Sequence, residues 1–373
     1  SFTSMSVFAL SITPYITSSI IMQLMTIAIP KLEEMQREGE DGRKKIAEYT
    51  RYVTVALALI ESTAMAVGFG GQGLLLDFNA GSIIVAVATM TAGSALLMWI
   101  GERITENGVG NGISIVLLFN IVSSLPDDIN TLYTRFMAGR NIPVAVVSAI
   151  IILAVIIAMV MFVIVLQDGE RRIPVQYSQK MQGRRMVGGR SSSIPLKVNT
   201  AGVIPVIFAS SIMSFPVVIS QFVEFDRSGF MGWLMTMLSS NSWFRPEQPA
   251  YSVGLVIYLV LIVFFAYFYT SITFNPLEVA NNIKKQGGFI PGIRPGKPTS
   301  DYLEGILNYI VFIGACGLMV VSLVPIIVSG LFTITHLSFA GTSLIIIVGV
   351  ILETIKAIES QMLVRNYTGF LND

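Results

Sequence analysis

Nine long apolar runs constrain this chain more than any other feature of its sequence. They are rich in Ile, Val, Leu, Ala and Met, and they are continuous rather than alternating between apolar and polar residues. A helix needs about 20 mainly apolar residues to cross a membrane, and inside the membrane the backbone must satisfy its own hydrogen bonds. Continuous runs therefore predict membrane-spanning helices and exclude the period-two strands of a membrane barrel. The runs cover residues 6–29, 52–70, 82–101, 112–125, 143–166, 201–222, 251–273, 305–329 and 341–358.

The low charge content supports the same class. Only 13% of the 373 residues are charged, whereas soluble domains carry about 25%. The net charge of +1 excludes a strongly basic nucleic-acid binder, and the single cysteine, Cys316, allows no internal disulfide. With one histidine, His336, and no GxxxxGK[ST] motif, the sequence offers neither a histidine-based catalytic or metal site nor a P-loop. We therefore expect an all-α polytopic membrane protein that is not an enzyme and holds no cofactor.

Basic residues are concentrated on one side of the predicted spans. Twenty of the 24 Lys and Arg residues lie in alternate loops or at the C-terminal end. The positive-inside rule places this side in the cytoplasm. Nine spans then put Ser1 outside and Asp373 in the cytoplasm. The chain does not begin with Met, so we expect that a preceding helix is missing. No signal-peptide pattern precedes the first run, so we expect no signal peptide to be removed.

Two cytoplasmic loops, 167–198 and 275–304, are longer than an orientation signal requires. Both are basic, and their Gly, Ser and Pro residues favour turns that hold a loop clear of the membrane. A basic protrusion suits an anionic partner, such as an RNA surface or an acidic protein face. The alternative is that both loops only obey the positive-inside rule. The candidate docking residues are Arg171, Arg172, Arg184, Arg185, Lys284, Lys285 and Arg294.

The carboxylate of Glu61 lies in the middle of the second run, with no obvious basic partner in any run. Charged residues inside a membrane often mark a functional site. Three interpretations are open: a side chain satisfied by neighbouring hydroxyls, a polar patch in a helix–helix seam that opens, and a proton or sodium coupling site. On the outer side, residues 229–240 are apolar and contain Trp233. They predict a helix lying in the membrane interface, with a simple outer loop as the alternative.

Seven motifs, in order along nearly the whole chain, resemble the SecY family, the channel subunits of the bacterial protein-export translocon. They are Ile12-Thr13-Pro14-Tyr15-Ile16, Gly39-Glu40 with Gly42-Arg43-Lys44-Lys45, Gly110-Asn111-Gly112-Ile113-Ser114, Pro195-Leu196-Lys197-Val198-Asn199, Gly202-Val203-Ile204-Pro205, Phe289-Ile290-Pro291-Gly292-Ile293-Arg294-Pro295-Gly296 and Gly341-Thr342-Ser343-Leu344. The family has ten helices, so the resemblance implies that the first helix and most of the plug segment after it are missing. Ala340 departs from the family's usual glycine.

The resemblance implies two inverted-repeat halves, 1–130 and 131–373, around a central hourglass pore. The protein would be a channel for secretion across, and lateral insertion into, the bacterial inner membrane. A narrow aliphatic ring can block ions by dewetting and still part around a moving peptide. Without the resemblance, the residues that match this ring would be interpreted as ordinary packing residues, and two pairs of them have the spacing i and i+4. The positions that match the ring are Ile12, Ile16, Leu117, Ile121, Ile207 and Ile346.

The resemblance also implies a lateral gate and several partners. The gate would lie between runs 6–29 and 52–70 on one side and 201–222 and 251–273 on the other. Its candidate seam residues are Thr17, Glu61, Ser211 and Phe215. A SecA motor or a translating ribosome would use the basic loops, with SecE clamping the halves and SecG alongside. Signal sequences, unfolded preproteins and membrane lipid complete the expected partners.

Composition alone leaves two other classes open, a secondary transporter for a small solute and a structural membrane scaffold. The scarcity of charged residues within the runs argues against ion-coupled transport. The two long basic loops and the aliphatic ring have no purpose in a scaffold. The sequence therefore favours the channel.

Overall fold

The computed structural model describes residues 6–70, 75, 77–177, 180–182, 185–187, 191–219, 229–239, 243, 252–332 and 342–369. Most of these residues are helical. The helices are α1 Thr13–Ala28, α2 Pro30–Arg37, α3 Glu40–Phe69, α4 Ala80–Asn107, α5 Gly112–Phe136, α6 Ile142–Asp168, α7 Ile204–Ile219, α8 Phe230–Leu238, α9 Ser252–Thr273, α10 Pro276–Lys285, α11 Lys297–Phe332 and α12 Thr342–Gly369. The strands are β1 Glu170–Tyr177, β2 Lys180–Gln182, β3 Arg185–Val187, β4 Ser191–Lys197 and β5 Gly288–Phe289.

A helix lies within each of the nine apolar runs, which agrees with the predicted helical class. By length and composition, six segments of the described chain can cross a membrane, namely α3, α4, α5, α6, α9 continued into α10, and α11. The count is seven if α1 and α2, which meet at 101°, form one span. The fourth run was expected to be short. Its helix α5 has 25 residues and continues through Pro126, so the predicted boundary at residue 125 was wrong.

The first run, 6–29, is not one helix. Residues 7–12 form turns, in which the Ala9 and Ser11 N–H groups donate to carbonyls three residues earlier. Helix α1 begins only at Thr13, with Pro14 in its first turn, where the missing proline N–H costs nothing. Ser11 has a φ of 52°, a left-handed conformation that favours glycine. Its carbonyl accepts a hydrogen bond from the Ser94 hydroxyl of α4 (3.3 Å).

A close backbone approach holds this turn segment against α4. A Cβ at Gly93 would lie 2.0 Å from the carbonyl oxygen of Val7, so no other residue fits there without displacement. Just beyond it, Leu10 packs in a buried cluster with Met65 of α3 and Met90 of α4. Gly93 lies near the middle of α4, and the turn segment therefore passes the middle of a membrane-spanning helix.

Hydroxyl groups join α1, α3 and α4. The Ser18 hydroxyl is fully buried and bonds the Thr54 hydroxyl, and it donates to the Thr50 carbonyl of α3 (3.2 Å). One helix further, Ser62 of α3 and Thr91 of α4 share a hydrogen bond of 3.0 Å. Small polar residues let membrane helices approach closely and bond across the seam. These bonds fix the packing of α1 against α3 and of α3 against α4.

The chain divides into two compact units. One comprises Ser1–Ser124, Phe215–Met235 and Val350–Asp373, and the other comprises Leu125–Ser214 and Thr236–Gly349. In the second unit, α11 packs against α9, α10 and α6. Glycine permits the closest of these contacts, because a Cβ at Gly317 of α11 would lie 2.4 Å from Leu166 of α6. The predicted halves, 1–130 and 131–373, and their inverted-repeat relation stay predictions.

We expect Gly93→Ala to destabilise the protein by about 1–3 kcal/mol, because its methyl group would collide with backbone rather than with a flexible side chain. The matched control is Gly81→Ala on the same helix, where a Cβ meets no atom within 4 Å. Thermal unfolding in detergent measures the effect. A parental midpoint for Gly93→Ala, or an equal fall for both variants, would contradict the close approach.

Candidate functional site

The two long basic loops, predicted as separate segments, join in one sheet. Strands β1 and β4 come from loop 167–198 and pair antiparallel from Glu170 opposite Lys197 to Gln176 opposite Ser191. Strand β5 comes from loop 275–304 and pairs with the end of β1, Gln176 opposite Phe289. The strand order is β4-β1-β5. We call this sheet, with α10 and the turn 290–296, the platform.

A shared apolar core holds the platform together. Ile173 and Val175 point from alternate positions of β1 into this core, while Pro174 between them and their outer neighbours Arg172 and Gln176 are exposed. Both loops and the start of α11 supply it, so the platform continues directly from a membrane-spanning helix. The buried members are Ile173, Val175, Leu196, Ile283, Ile290, Leu303, Ile306 and Ile310.

Arg294 lies on a turn with a fixed backbone. Ile290 at its start is buried in the platform core, and its carbonyl accepts the Ile293 N–H (3.0 Å). The hydroxyl of Thr299, itself 1% exposed, donates to the Arg294 carbonyl (2.8 Å). Two glycines at positive φ, Gly292 at 84° and Gly296 at 105°, allow the turn to reverse twice. The Arg294 side chain is exposed above this support.

Four of the other described docking candidates lie on the platform itself. Arg171 and Arg172 are exposed on β1, and Arg172 forms an ion pair with Glu170 (2.6 Å). Lys284 and Lys285 occupy the last turn of α10, where cations stabilise the helix dipole. Arg185 begins β3, which pairs with β2 in a separate hairpin. Arg184 lies outside the described residues.

The sequence interpretation missed the joining of the loops. The available signal was the alternation from Arg172 through Ile173 and Val175 to Gln176, interrupted only by Pro174, which is typical of a half-buried strand. The charge and the turn residues of these loops do not carry this signal. A two-residue strand such as β5 gives no pattern of its own, so the pairing partner could not be found in this way.

The six candidate ring residues are apolar and mostly half-buried. Ile12 is the N-cap of α1 and is fully buried, and Ile16 donates its N–H to the Ile12 carbonyl (3.2 Å). Leu117 and Ile121 are half-buried on α5. These four belong to the first unit. Ile207 on α7 and Ile346 on α12 are also half-buried and belong to the second.

The gate candidates lie on three helices. Thr17 is half-buried on α1 and donates its hydroxyl to the Thr13 carbonyl (3.1 Å), beside the buried Ser18. Glu61 is half-buried on α3, and no ion pair among the described residues includes it. Ser211 is exposed on α7. Phe215 belongs to α7 by its backbone, and its side chain lies outside what the structure describes.

A model of the SecY family matches residues 6–355 of the chain. The protein translocase subunit SecY of Streptomyces galbus is 45% identical over 379 residues, which cover 98% of this chain and 83% of that protein. Its counterpart from Corynebacterium glutamicum is 44% identical over 387 residues, which cover 98% and 84%.

Solved structures share the fold. One, described as the structure of a protein conducting channel, has a TM-score of 0.61 at 16% identity and covers 96% of this chain and 84% of its own. Sec61 from the canine ribosome-channel complex of the endoplasmic reticulum has a TM-score of 0.60 at 15% identity, with 95% and 82% covered. A structure from work on the plug domain of the SecY protein has a TM-score of 0.62 at 16% identity, with 95% and 83% covered.

Proposed function

The chain belongs to the SecY family, and from this premise we propose how its residues seal, open and drive the channel. It is a polytopic membrane protein and a subunit of a protein-conducting translocation channel. Composition left open a small-solute transporter and a structural scaffold, and family membership decides in favour of the channel. We place it in the bacterial inner membrane with a cytoplasmic C-terminus. The excess of basic residues on the side of the platform supports this orientation.

The proposed seal is an aliphatic ring of Ile12, Ile16, Leu117, Ile121, Ile207 and Ile346. The observation that carries it is the break of the first run at residues 7–12, which ends at Ile12. Non-helical backbone at membrane depth is tolerated only when it is buried in protein or lines a water-filled cavity. A ring of branched aliphatic side chains at such a break is narrow and dry. It blocks ions without binding them, and its side chains part around a moving peptide.

Asparagine at two ring positions should open an ion leak. The test is the double variant Ile16→Asn with Ile121→Asn in the full-length protein, because amide side chains hydrate a ring that aliphatic side chains keep dry. If both residues only pack, each change loses about 1–3 kcal/mol of apolar burial with no special effect on conductance. The measurement is single-channel conductance in planar bilayers.

The matched control is Ile150→Asn with Ile157→Asn on α6, where both side chains are exposed on an apolar helix. This pair carries the same chemical change away from the ring. Parental conductance in the ring variant, with expression intact, would contradict the assignment. An equal leak in the control would also contradict it.

The platform is the proposed docking surface for a SecA motor or a translating ribosome. The fixed turn under Arg294, the exposed Arg171 and the Lys284–Lys285 pair support this role, because a rigid basic surface favours acidic protein faces and RNA. No P-loop is present in the sequence, so the proposed driving energy comes from these partners. SecE and SecG are the proposed companion subunits within the membrane.

Charge reversal by Arg294→Glu should weaken SecA and ribosome binding by about tenfold or more, since like charges opposed at an interface cost several kcal/mol. Motor-driven export in vesicles and ribosome co-sedimentation measure the effect. The control, Arg140→Glu, makes the same change at an exposed residue of the outer turn between α5 and α6. Export and binding at the parental level in Arg294→Glu would contradict docking at the platform.

The proposed lateral gate has α1 and α3 on one side and α7 and α9 on the other, with Thr17, Glu61, Ser211 and Phe215 in its seam. Ser62 is bonded to Thr91, and Glu61 beside it has no ion-pair partner among the described residues. A half-buried carboxylate is unfavourable against lipid. It therefore suits a seam that admits water and peptide when it opens.

A disulfide across this seam should hold the gate shut. In a Cys316→Ala background, Thr17→Cys with Ser211→Cys should block membrane insertion of a substrate under oxidising conditions, and reduction should restore it. Each single-cysteine variant is the control. Insertion that proceeds through the crosslinked protein, or two cysteines that never crosslink, would show that the seam is assigned to the wrong residues.

A further inference from the structure

Helix α8 has an apolar face that the described residues cover at one end only. Its nine residues, FMGWLMTML, carry no charge, and at 1.5 Å per residue the helix is about 14 Å long. Phe230, Trp233 and Met237 follow the spacing i, i+3 and i+7, which places them on one face. Met237 is buried, whereas the exposed fractions of Phe230 and Trp233 are 75% and 39%.

The covered end of α8 is fixed to the outer end of α9. The Trp243 indole N–H donates to the Met237 carbonyl (2.9 Å), and the Trp243 ring lies 4.7 Å from the ring of Tyr258 on α9. Gly254, in the first turn of α9, makes room for this contact, since a Cβ there would lie 2.1 Å from the Met237 carbonyl oxygen. Trp243 is only 3% exposed. The C-terminal end of α8 is therefore held at the point where α9 enters the membrane.

The exposed end of α8 is aromatic. The rings of Phe230 and Trp233 stack with their centroids 5.8 Å apart, and Met231 beside them is 41% exposed. Water is a poor solvent for such a pair. Tryptophan and other amphipathic aromatic rings concentrate where acyl chains meet lipid headgroups.

We propose that α8 is an anchor in the outer leaflet, with Phe230 and Trp233 inserted among phospholipids at the headgroup boundary. Continuity with the lipid-facing surface identifies the occupant, because α9 itself exposes Val253, Val256 and Val260 along its outer turns. The absence of charge in α8 excludes attraction to an anionic headgroup as the cause. Apolar burial at a shallow depth drives the contact. The anchor ties the outer end of α9 to the surface of the bilayer.

Tryptophan fluorescence tests the anchor, because the chain has only three tryptophans, Trp99, Trp233 and Trp243. The full chain carrying Trp99→Phe is reconstituted in phospholipid vesicles whose acyl chains are brominated either near the headgroup or near the chain end. Acrylamide serves as the aqueous quencher. A second variant, Trp99→Phe with Trp233→Phe, leaves the buried Trp243 alone and gives the signal to subtract.

The expected result is that shallow bromines quench Trp233 more than deep bromines or acrylamide do. The second variant should lose most of this quenching and keep the blue-shifted emission of Trp243. In the Trp99→Phe background, Phe230→Glu should reduce the lipid quenching of Trp233. The matched control Phe230→Leu, which keeps an apolar side chain at the same position, should leave it unchanged.

Two outcomes would overturn the proposal. Quenching by acrylamide without quenching by bromolipid would make α8 part of an aqueous outer loop. Protection from both quenchers would mean that a partner subunit or a second copy of the chain covers the face. Neither outcome bears on the ring, the gate or the platform, which are tested by conductance, crosslinking and docking.

Discussion

Inside a bilayer a backbone that leaves the helix must find other partners for its N–H and C=O groups, and residues 7–12 are where this chain meets that constraint. Their turns use i to i+3 hydrogen bonds, and Ser94 bonds the Ser11 carbonyl. Gly93 gives the segment room against α4. The break displaces the start of α1 to Thr13 and sets Ile12 at its N-cap. The remaining contacts of α1, including the buried Ser18–Thr54 pair, depend on where that helix begins.

The platform obeys the opposite constraint, because it lies where water is available. It is held by an apolar core beneath a sheet, as in a soluble domain, and its basic side chains remain exposed. Its exposed backbone N–H and C=O groups can bond water, so they do not all need partners within the protein, as those of the membrane segment do. Substitutions at Arg294 should therefore change recognition, whereas substitutions at Gly93 should change folding, and the two effects should be separable.

The sequence predicted much of this fold, because a continuous run of about 20 apolar residues indicates a membrane-spanning helix without any periodic pattern. All nine apolar runs contain helices, and the outer segment 229–240 contains α8. The break before Thr13 was not predicted. Val7, Phe8 and Leu10 extend the apolar run in the same way whether they lie in turns or in a helix, so hydropathy does not reveal the break. The joining of β1 to β5 escaped for another reason. It is a long-range pairing, and a two-residue strand has no local pattern from which its partner could be inferred.

The residues of the candidate site also differ in how far the sequence predicts them. Charge and turn residues placed Arg294 and Lys284 on the cytoplasmic side, because the positive-inside rule acts on loops independently of tertiary contacts. Ring and gate residues have no such local signature. Ile12 and Ile150 are the same residue type in similar apolar surroundings of the sequence, but in the structure Ile12 is buried at the helix break and Ile150 is exposed on α6. A hydrophobic side chain acquires a channel function from the backbone geometry around it. In the proposed seal, Gly93 and Ser94 would touch no substrate, and their part would be to hold the helix break that positions Ile12.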